Sequence, residues 1–331
     1  MAVALVTVFG GSGFLGRYVV RRLAKQGHRV RVAVRRPDEA GFVRGYGHVG
    51  QVEPIFCNVR DDSSVRAALR SADACVNCVG TFEGKGRNSM EAVQAEGAGR
   101  IARLALEGGV RRMAHVSAIG ADPASPSRYG RSKAAGEALV LASMPDAVIL
   151  RPSILFGAED AFFNRFATMA ARSPVIPLVG AATRFQPAFV DDVAEAAALG
   201  VSGGASGEVM PGAFELGGPE VLTFRELMER MLREVRRRRL VLGLPFWAGR
   251  LVANVSGLGA ALTGGLAPQP ITLDQVASLR VDNVVSPGAR GFADLGLQPV
   301  ALDAVLPEYL WRFRPSGQYA AIKESARNLR S

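Results

Sequence analysis

The 331 residues are about twice the ~150 of a typical domain, so one large α/β domain with a smaller lobe, or two domains, is expected. With 48% hydrophobic residues, 21% charged residues and a mean hydropathy of +0.15, the composition excludes disordered and fibrous classes. A formal charge of +10 and a pI of about 10.2 predict an acidic partner, whether nucleic acid, an anionic lipid surface or a negative face of another protein, without choosing among them.

The chain opens on Met1-Ala2 and passes directly into an apolar strand pattern. No charged n-region, cleavage site or Arg/Ser-rich transit peptide precedes it, so secretion is not expected. Short β-branched runs then alternate with amphipathic segments, the βαβ rhythm of a Rossmann-type doubly wound parallel sheet. The spacing predicts strands at Ala4 to Phe9, His28 to Val34, Val52 to Cys57, Ala74 to Val79, Arg112 to Val116 and Ala147 to Leu150. Helices are predicted at Phe14 to Gln26, Ser63 to Ala68, Met90 to Leu106 and Arg131 to Leu141. The second half is less regular, with Gly and Pro punctuation around 202–219 and 257–270. A dinucleotide-binding domain over 1–155 is expected, followed by an interleaved lobe over 156–331 that returns a strand to the sheet near 213–217. One composition shift stands out: Arg236-Arg237-Arg238-Arg239 precedes Leu240 to Leu266, whose only charge is Arg250.

The first strand runs into Gly10-Gly-Ser12-Gly13-Phe14-Leu15-Gly16 and then a helix. Gly10 permits the tight turn, Gly13 lets the backbone approach a pyrophosphate, and Gly16 lets helix pack on strand, with phosphate at the helix N-terminus. Where NAD-binding proteins of this kind carry an acid for the ribose, the second strand ends in Arg35-Arg36, whose guanidinium forks suit a 2′-phosphate. NADP(H) is therefore the expected cofactor. By position, Asn58-Val59 would flank the adenine and Cys78-Val79-Gly80 would pass beneath the cofactor. Cys75 and Cys78 spell C-x-x-C, but on a strand such residues point to opposite faces, so buried thiols are expected rather than a redox pair. Three cysteines and the dispersed His28, His48 and His115 also provide neither a disulfide framework nor a structural zinc site, and a reducing compartment follows.

Ser117 follows the fifth strand, and Tyr129 and Lys133 lie four residues apart on one face of the next helix. In that arrangement Lys133 can lower the Tyr129 pKa and hold the ribose, while Ser117 and Tyr129 address a carbonyl during hydride transfer. At this point the chain resembles the short-chain dehydrogenase/reductase superfamily, in its atypical or extended branch. Gly10, Gly13, Gly16, Ser117, Tyr129 and Lys133 match its motif residue by residue. The segments Leu150 to Phe166, Gln186 to Val193 and Phe292 to Leu297 are similar to those of the dehydrogenase-like accessory-subunit family of respiratory complex I (NADH:ubiquinone oxidoreductase).

That resemblance implies a firmly held NADPH remote from the electron path, and a structural or assembly role without established turnover. It also implies partner subunits near the quinone site and membrane arm. Pro152, Ser153 and Ile154 fall where the family's chain passes the nicotinamide. Asn58 departs from the pattern, standing where relatives often carry Asp. The Ala/Gly/Arg-rich composition suggests a bacterial version, peripheral on the cytoplasmic face of the inner membrane.

Two other functions stay open: a free NADP-dependent reductase or epimerase acting on a small carbonyl or sugar nucleotide, and a redox-sensing regulator. Fold alone does not separate them. The apolar 236–266 stretch favours an attachment surface. Pro245, Arg250 and six glycines (Gly243, Gly249, Gly257, Gly259, Gly264, Gly265) argue against one spanning helix. In this reading Arg236 to Arg239 meet anionic lipid phosphates while Phe246 and Trp247 sit at headgroup level. A nucleic-acid role is not expected, because no reading motif accompanies the basic residues.

Overall fold

A computed structural model describes residues 4–81, 84, 86–203, 208–262, 271–315 and 317. Gly264 and Gly265, with the end of the apolar stretch, lie outside the described residues. In chain order the strands are β1 (Leu5–Phe9), β2 (Arg29–Val34), β3 (Val52–Phe56), β4 (Ala74–Asn77), β5 (Arg112–Val116), β6 (Val148–Pro152) and β7 (Leu155–Phe156), followed by β8 (Val175–Val179), β9 (Arg184–Phe185), β10 (Ala188–Phe189), β11 (Gly212–Leu216), β12 (Leu222–Thr223) and β13 (Leu240–Leu244). The helices are α1 (Phe14–Lys25), α2 (Asp62–Leu69), α3 (Glu96–Glu107), α4 (Arg128–Ser143), α5 (Phe162–Arg172), α6 (Val190–Ser202), α7 (Phe224–Glu234), α8 (Phe246–Leu262), α9 (Leu273–Ser278) and α10 (Leu302–Leu310). The chain divides into two compact units, the first formed by Met1–Ser153, Val190–Gly217 and Val285–Pro299.

Unit 1 holds a seven-stranded sheet in the order β11-β6-β5-β4-β1-β2-β3, with every pair parallel. The doubly wound α/β class expected from the sequence is observed. Parallel strands are covered on both faces, which is why they read as continuous apolar runs. Phe9, Met113 and Ile149 on one face pack with Val65 of α2, Ile101 and Leu104 of α3 and Val140 of α4. In α1 the apolar positions Leu15, Val19, Val20 and Leu23 recur at helical spacing and are buried.

Two predicted boundaries shift for local reasons. β4 stops at Asn77 rather than Val79, because the Asn77 side-chain Oδ1 takes the Val79 N–H at 3.1 Å that a longer ladder would need. The continuous helix predicted from Met90 instead opens with a π-helical stretch, Glu91–Ala95, before α3. At that point α4 approaches so closely that a Cβ on Gly136 would lie 2.6 Å from the Gln94 carbonyl oxygen.

Unit 2 comprises Ile154–Phe189, Gly218–Val284 and Val300–Ser331. Its short strands pair as β7 with β10, β9 with β12, and β8 with β13. The core gathers Phe156, Phe163, Phe185, Phe224, Met228 and Leu306. The nearly uncharged stretch that follows the four arginines is therefore a strand and a helix, β13 and α8, joined at Pro245. No helix among the described residues is long and apolar enough to cross a membrane.

One buried carboxylate ties α10 to this core. Asp160, 3% exposed, accepts the Tyr309 hydroxyl at 2.5 Å and the backbone N–H groups of Gly157 at 3.3 Å and Asn164 at 3.1 Å. Burial raises the Asp160 pKa above the usual carboxylate range, and the Tyr309 hydrogen bond opposes that rise. Tyr309→Phe leaves the ring packing intact but deletes a donor to a buried acid. Such a loss costs about 1–3 kcal/mol. Denaturant unfolding of the variant should show that loss, and unchanged stability would show that the hydroxyl contributes nothing.

Candidate functional site

The site begins where β1 and β4, neighbours in the sheet, send their chains to opposite sides, the switch point at which open α/β sheets bind ligands. Gly10 follows β1 with φ +74°, and its N–H donates to the Ala33 carbonyl at 2.9 Å. A Cβ there would crowd the Cys78 carbonyl carbon at 3.2 Å and Val79 at 3.3 Å. A Cβ on Gly16 would overlap the Gly10 carbonyl oxygen, so the start of α1 lies hard against the turn. Gly13 caps α1 in an extended conformation without any side-chain cap or first-turn acid. By contrast, α2, α4, α7 and α9 are capped by Asp61, Ser127, Thr223 and Thr272. The first N–H groups of α1, around Phe14 and Leu15, thus have no side-chain cap, and the dipole there favours an anion.

Arg17, which sequence reasoning missed, backs this turn. Its guanidinium donates to the Ser12 carbonyl at 3.2 Å and lies 4.9 Å from the Phe42 ring centroid. Its signal in the sequence was only its place directly after Gly16. The expected arginine pair divides in its engagement. Arg36 donates to Glu39 at 3.0 Å, whereas exposed Arg35 has no ion-pair or hydrogen-bond partner among the described residues. After β3 the Asn58 side chain turns to Arg60, accepting its N–H and Nε at 3.2 Å, and the Val59 carbonyl accepts from Arg100 at 3.0 Å.

The loop after β4 lies beside the α4 groups: a Cβ on Gly80 would stand 3.6 Å from Lys133 Nζ. Cys75 is fully buried within β4, and Cys78 begins the loop. Burial pushes both thiols up to about 12, which suits inert thiols rather than a redox pair. Ser127 caps α4, placing Tyr129 and Lys133 on its first turns. Ser117 is 3% exposed and its Oγ is buried without a hydrogen-bond partner, as a group awaiting a ligand would be.

Lys133 Nζ donates to the Val116 carbonyl at 3.0 Å and sits 5.8 Å from the Tyr129 ring centroid. The expectation that Lys133 lowers the Tyr129 pKa is corrected here. Burial raises the Tyr129 hydroxyl, and burial pushes Lys133 down to about 8 despite Cys78 and Glu137. The ammonium approaches the ring face and a backbone carbonyl, so a free phenolate is not formed by this pair alone. Glu137, one turn further along α4, is pinned by Arg151 at 2.6 and 2.9 Å. Pro152 ends β6, and Ser153 donates its N–H to the Leu216 carbonyl at 3.0 Å. Ile154 opens unit 2, its N–H donating to Asn283 Oδ1 at 3.1 Å.

In unit 2 the four arginines divide by alternation. Arg237 and Arg239 are half-buried and donate to the carbonyls of Phe313 at 2.9 Å and Ala170 at 2.7 Å, while Arg236 and Arg238 are exposed. The expectation that all four face outward is thereby corrected. Trp247 is exposed, whereas Phe246 lies under Arg280, 5.3 Å from its ring centroid.

The uncapped α1 terminus, the glycine cradle and the orphaned Ser117 hydroxyl fit a nicotinamide dinucleotide. The family model described as the NAD dependent epimerase/dehydratase family matches residues 6–211. The chain is 38% identical to NADH dehydrogenase (ubiquinone) 1 alpha subcomplex subunit 9, mitochondrial, of Arabidopsis thaliana, covering 95% of this chain and 79% of that protein. It is 31% identical to the NADH-ubiquinone oxidoreductase 40 kDa subunit, mitochondrial, of Neurospora crassa, covering 95% and 80%. The UDP-glucose 4-epimerase of Thermus thermophilus, solved in complex with NAD, shares the fold with a TM-score of 0.68 at 20% identity, covering 94% of this chain and 99% of that one. The chain belongs to the NAD dependent epimerase/dehydratase family, in the branch that includes these two complex I subunits.

The buried ammonium makes a pH signature. Lys133 titrates at about 8 in the folded chain against its ordinary 10.5, so between those values the unfolded chain holds a proton that the folded chain has released. Stability from this group is therefore full above the higher value and is lost as pH falls through the lower one. Compared with Lys133→Met by denaturant unfolding of the nucleotide-free protein, the wild type should gain up to about 3 kcal/mol in relative stability across that window. A difference that does not vary with pH would refute the buried ammonium.

Proposed function

We propose that the chain is an NADP(H)-binding accessory subunit of respiratory complex I with a structural or assembly role, peripheral on the cytoplasmic face of a bacterial inner membrane. The observation that carries this reading is the 38% identity to a complex I subunit along 95% of the chain, spanning both units. Preference for NADP(H) is supported by Arg35, an exposed guanidinium at the β2 end with no acid in its place. When bound, the dinucleotide would supply hydride-transfer capacity. Gly10 to Gly16 would hold its diphosphate, Arg35 its 2′-phosphate, and Tyr129 and Lys133 its ribose. Cys78 to Gly80 would underlie it, while Asn58-Val59 and Pro152 to Ile154 would line its two ends.

A free NADP-dependent reductase is the second reading, favoured by the Ser117 hydroxyl, without a hydrogen-bond partner among the described residues and next in the chain to the Val116 carbonyl that Lys133 holds. In digitonin-solubilised membranes the tagged native chain should migrate with NADH:quinone oxidoreductase activity, whereas recovery only as a lone soluble protein would favour the reductase. Arg35→Ser should weaken NADPH roughly 10- to 100-fold, the worth of a charge-assisted bond at about 1.5–3 kcal/mol, while leaving NADH unchanged. Equal loss for both nucleotides would remove Arg35 from the 2′-phosphate.

The exposed apolar residues of β13 and α8 support an attachment surface there. Trp247, Leu251 and Val255 recur every fourth residue on α8 and are 69%, 57% and 65% exposed, and Leu242 of β13 is 46% exposed. Arg238, exposed ahead of β13, would add about 1 kcal/mol at an anionic lipid surface. Replacing Trp247 and Leu251 with serine should release the chain from washed membranes while NADPH binding persists. Retention of that variant in the membrane pellet would place the attachment elsewhere.

A further inference from the structure

Gln94 is a buried polar side chain that no motif marks. It sits in the π-helical stretch ahead of α3 and is 1% exposed. Its Oε1 accepts the Thr81 N–H at 3.3 Å, and its Nε2 donates to Ser132 Oγ at 3.0 Å. Ser132 Oγ in turn donates to the Tyr129 carbonyl at 2.8 Å. Donor and acceptor roles close without a free choice: the amide oxygen faces an N–H, the amide nitrogen faces a hydroxyl, and the hydroxyl proton goes to a carbonyl. A parallel link lies at the end of β4, where Asn77 Oδ1 holds the Val79 N–H and Asn77 Nδ2 meets His115 Nδ1 of β5 at 3.1 Å. Burial pushes His115 down to about 3, with the Lys133 charge adding to the effect, so the imidazole stays neutral and accepts from Asn77.

The loop beneath the nucleotide site is thus hung from two side-chain amides, and only the Gln94 link runs on into the first turn of α4. The widened turn brings Gln94 within reach of the loop, as its close approach to Gly80 and Gly136 shows. We propose that Gln94 is a positioning residue that couples the Gly80–Thr81 loop to the Tyr129–Lys133 helix and so fixes the nicotinamide half of the site. This rests on the reading of the site as a dinucleotide site. The sheet order separates the two halves: β4 and β5 carry Gly80 and Ser117 on one side of β1, while β2 carries Arg35 on the other. Loss of Gln94 therefore falls on the ligand's nicotinamide ribose end and spares its adenosine end.

The test uses the full-length chain and two probes: NADPH, which fills both halves, and 2′,5′-ADP, which fills only the adenosine half. Gln94→Leu keeps the side-chain bulk and removes both links. NADPH should bind about tenfold more weakly, the scale of one or two lost neutral hydrogen bonds, and 2′,5′-ADP should stay within about twofold. A role confined to stability would weaken both probes alike or neither, and either result overturns the proposal. Should Gln94→Leu not fold, Ser132→Ala breaks only the far half of the link. It should then give the same selective loss at smaller size, and equal or absent effects on the two probes again overturn the proposal. If the wild-type chain binds neither probe, the reading of the site fails first and the proposal falls with it.

Discussion

The approach of α1 to the Gly10–Gly11 backbone, close enough that no Cβ can stand at position 16, sets the geometry on which the rest of unit 1 depends. Because the helix starts there, its uncapped N–H groups open at the end of β1, beside the gap where β1 and β4 part company. Because Gly10 takes φ +74°, the turn can pass against the Cys78 carbonyl, and the loop after β4 is held at the same level as the glycine turn. The position of Lys133 follows from that level, since Gly80 leaves it the space that a side chain would fill.

Burying an ammonium against a backbone carbonyl is costly unless its neighbours supply compensating negative potential. Here Glu137 lies one turn further along α4 and is itself paired with Arg151, which also reaches Glu215 on β11 at 3.7 Å. The cluster therefore joins α4, β6 and β11 through charge while giving Lys133 only part of a counter-ion. Burial lowers the lysine, which with Cys78 and Glu137 opposing remains an ammonium near neutral pH, and burial alone moves Tyr129 upward. The pair as folded is suited to holding polar ligand atoms; a proton held on Tyr129 leaves only when something at the site stabilises the phenolate.

The βαβ rhythm, the glycine turn and the family were legible because their signals are local: apolar period, turn chemistry, and residues four apart on one helix face. What escaped depends on partners far apart in sequence. Gln94 meets Ser132 across 38 residues, and Asp160 meets Tyr309 across 149. The direction of the Tyr129 shift was missed for a different reason. Spacing of i and i+4 brings two side chains together, but only the backbone around them decides whether burial or charge dominates. Cys75 and Cys78 show the converse, since strand geometry alone was enough to argue against a redox pair.

The positive charge is the feature whose meaning changes most between sequence and structure. As composition it asks for an acidic partner, yet many of the guanidiniums satisfy the chain's own carbonyls. Arg31 donates to the Ala68 and Arg70 carbonyls at the end of α2, and Arg112 to those of Val201 and Ser202 at the end of α6. Arg239 does the same near the end of α5 and Arg314 at the end of α7. Helix C-termini expose unpaired carbonyls at the negative end of the dipole, so a forked cation there both hydrogen-bonds and neutralises. Arg31, Arg112, Arg239 and Arg314 thus serve as C-terminal caps. Hydrogen bonds to neutral carbonyls leave the net charge at +10 but fix where those guanidiniums sit. Arg35 at the end of β2 and Arg238 ahead of β13 stay exposed.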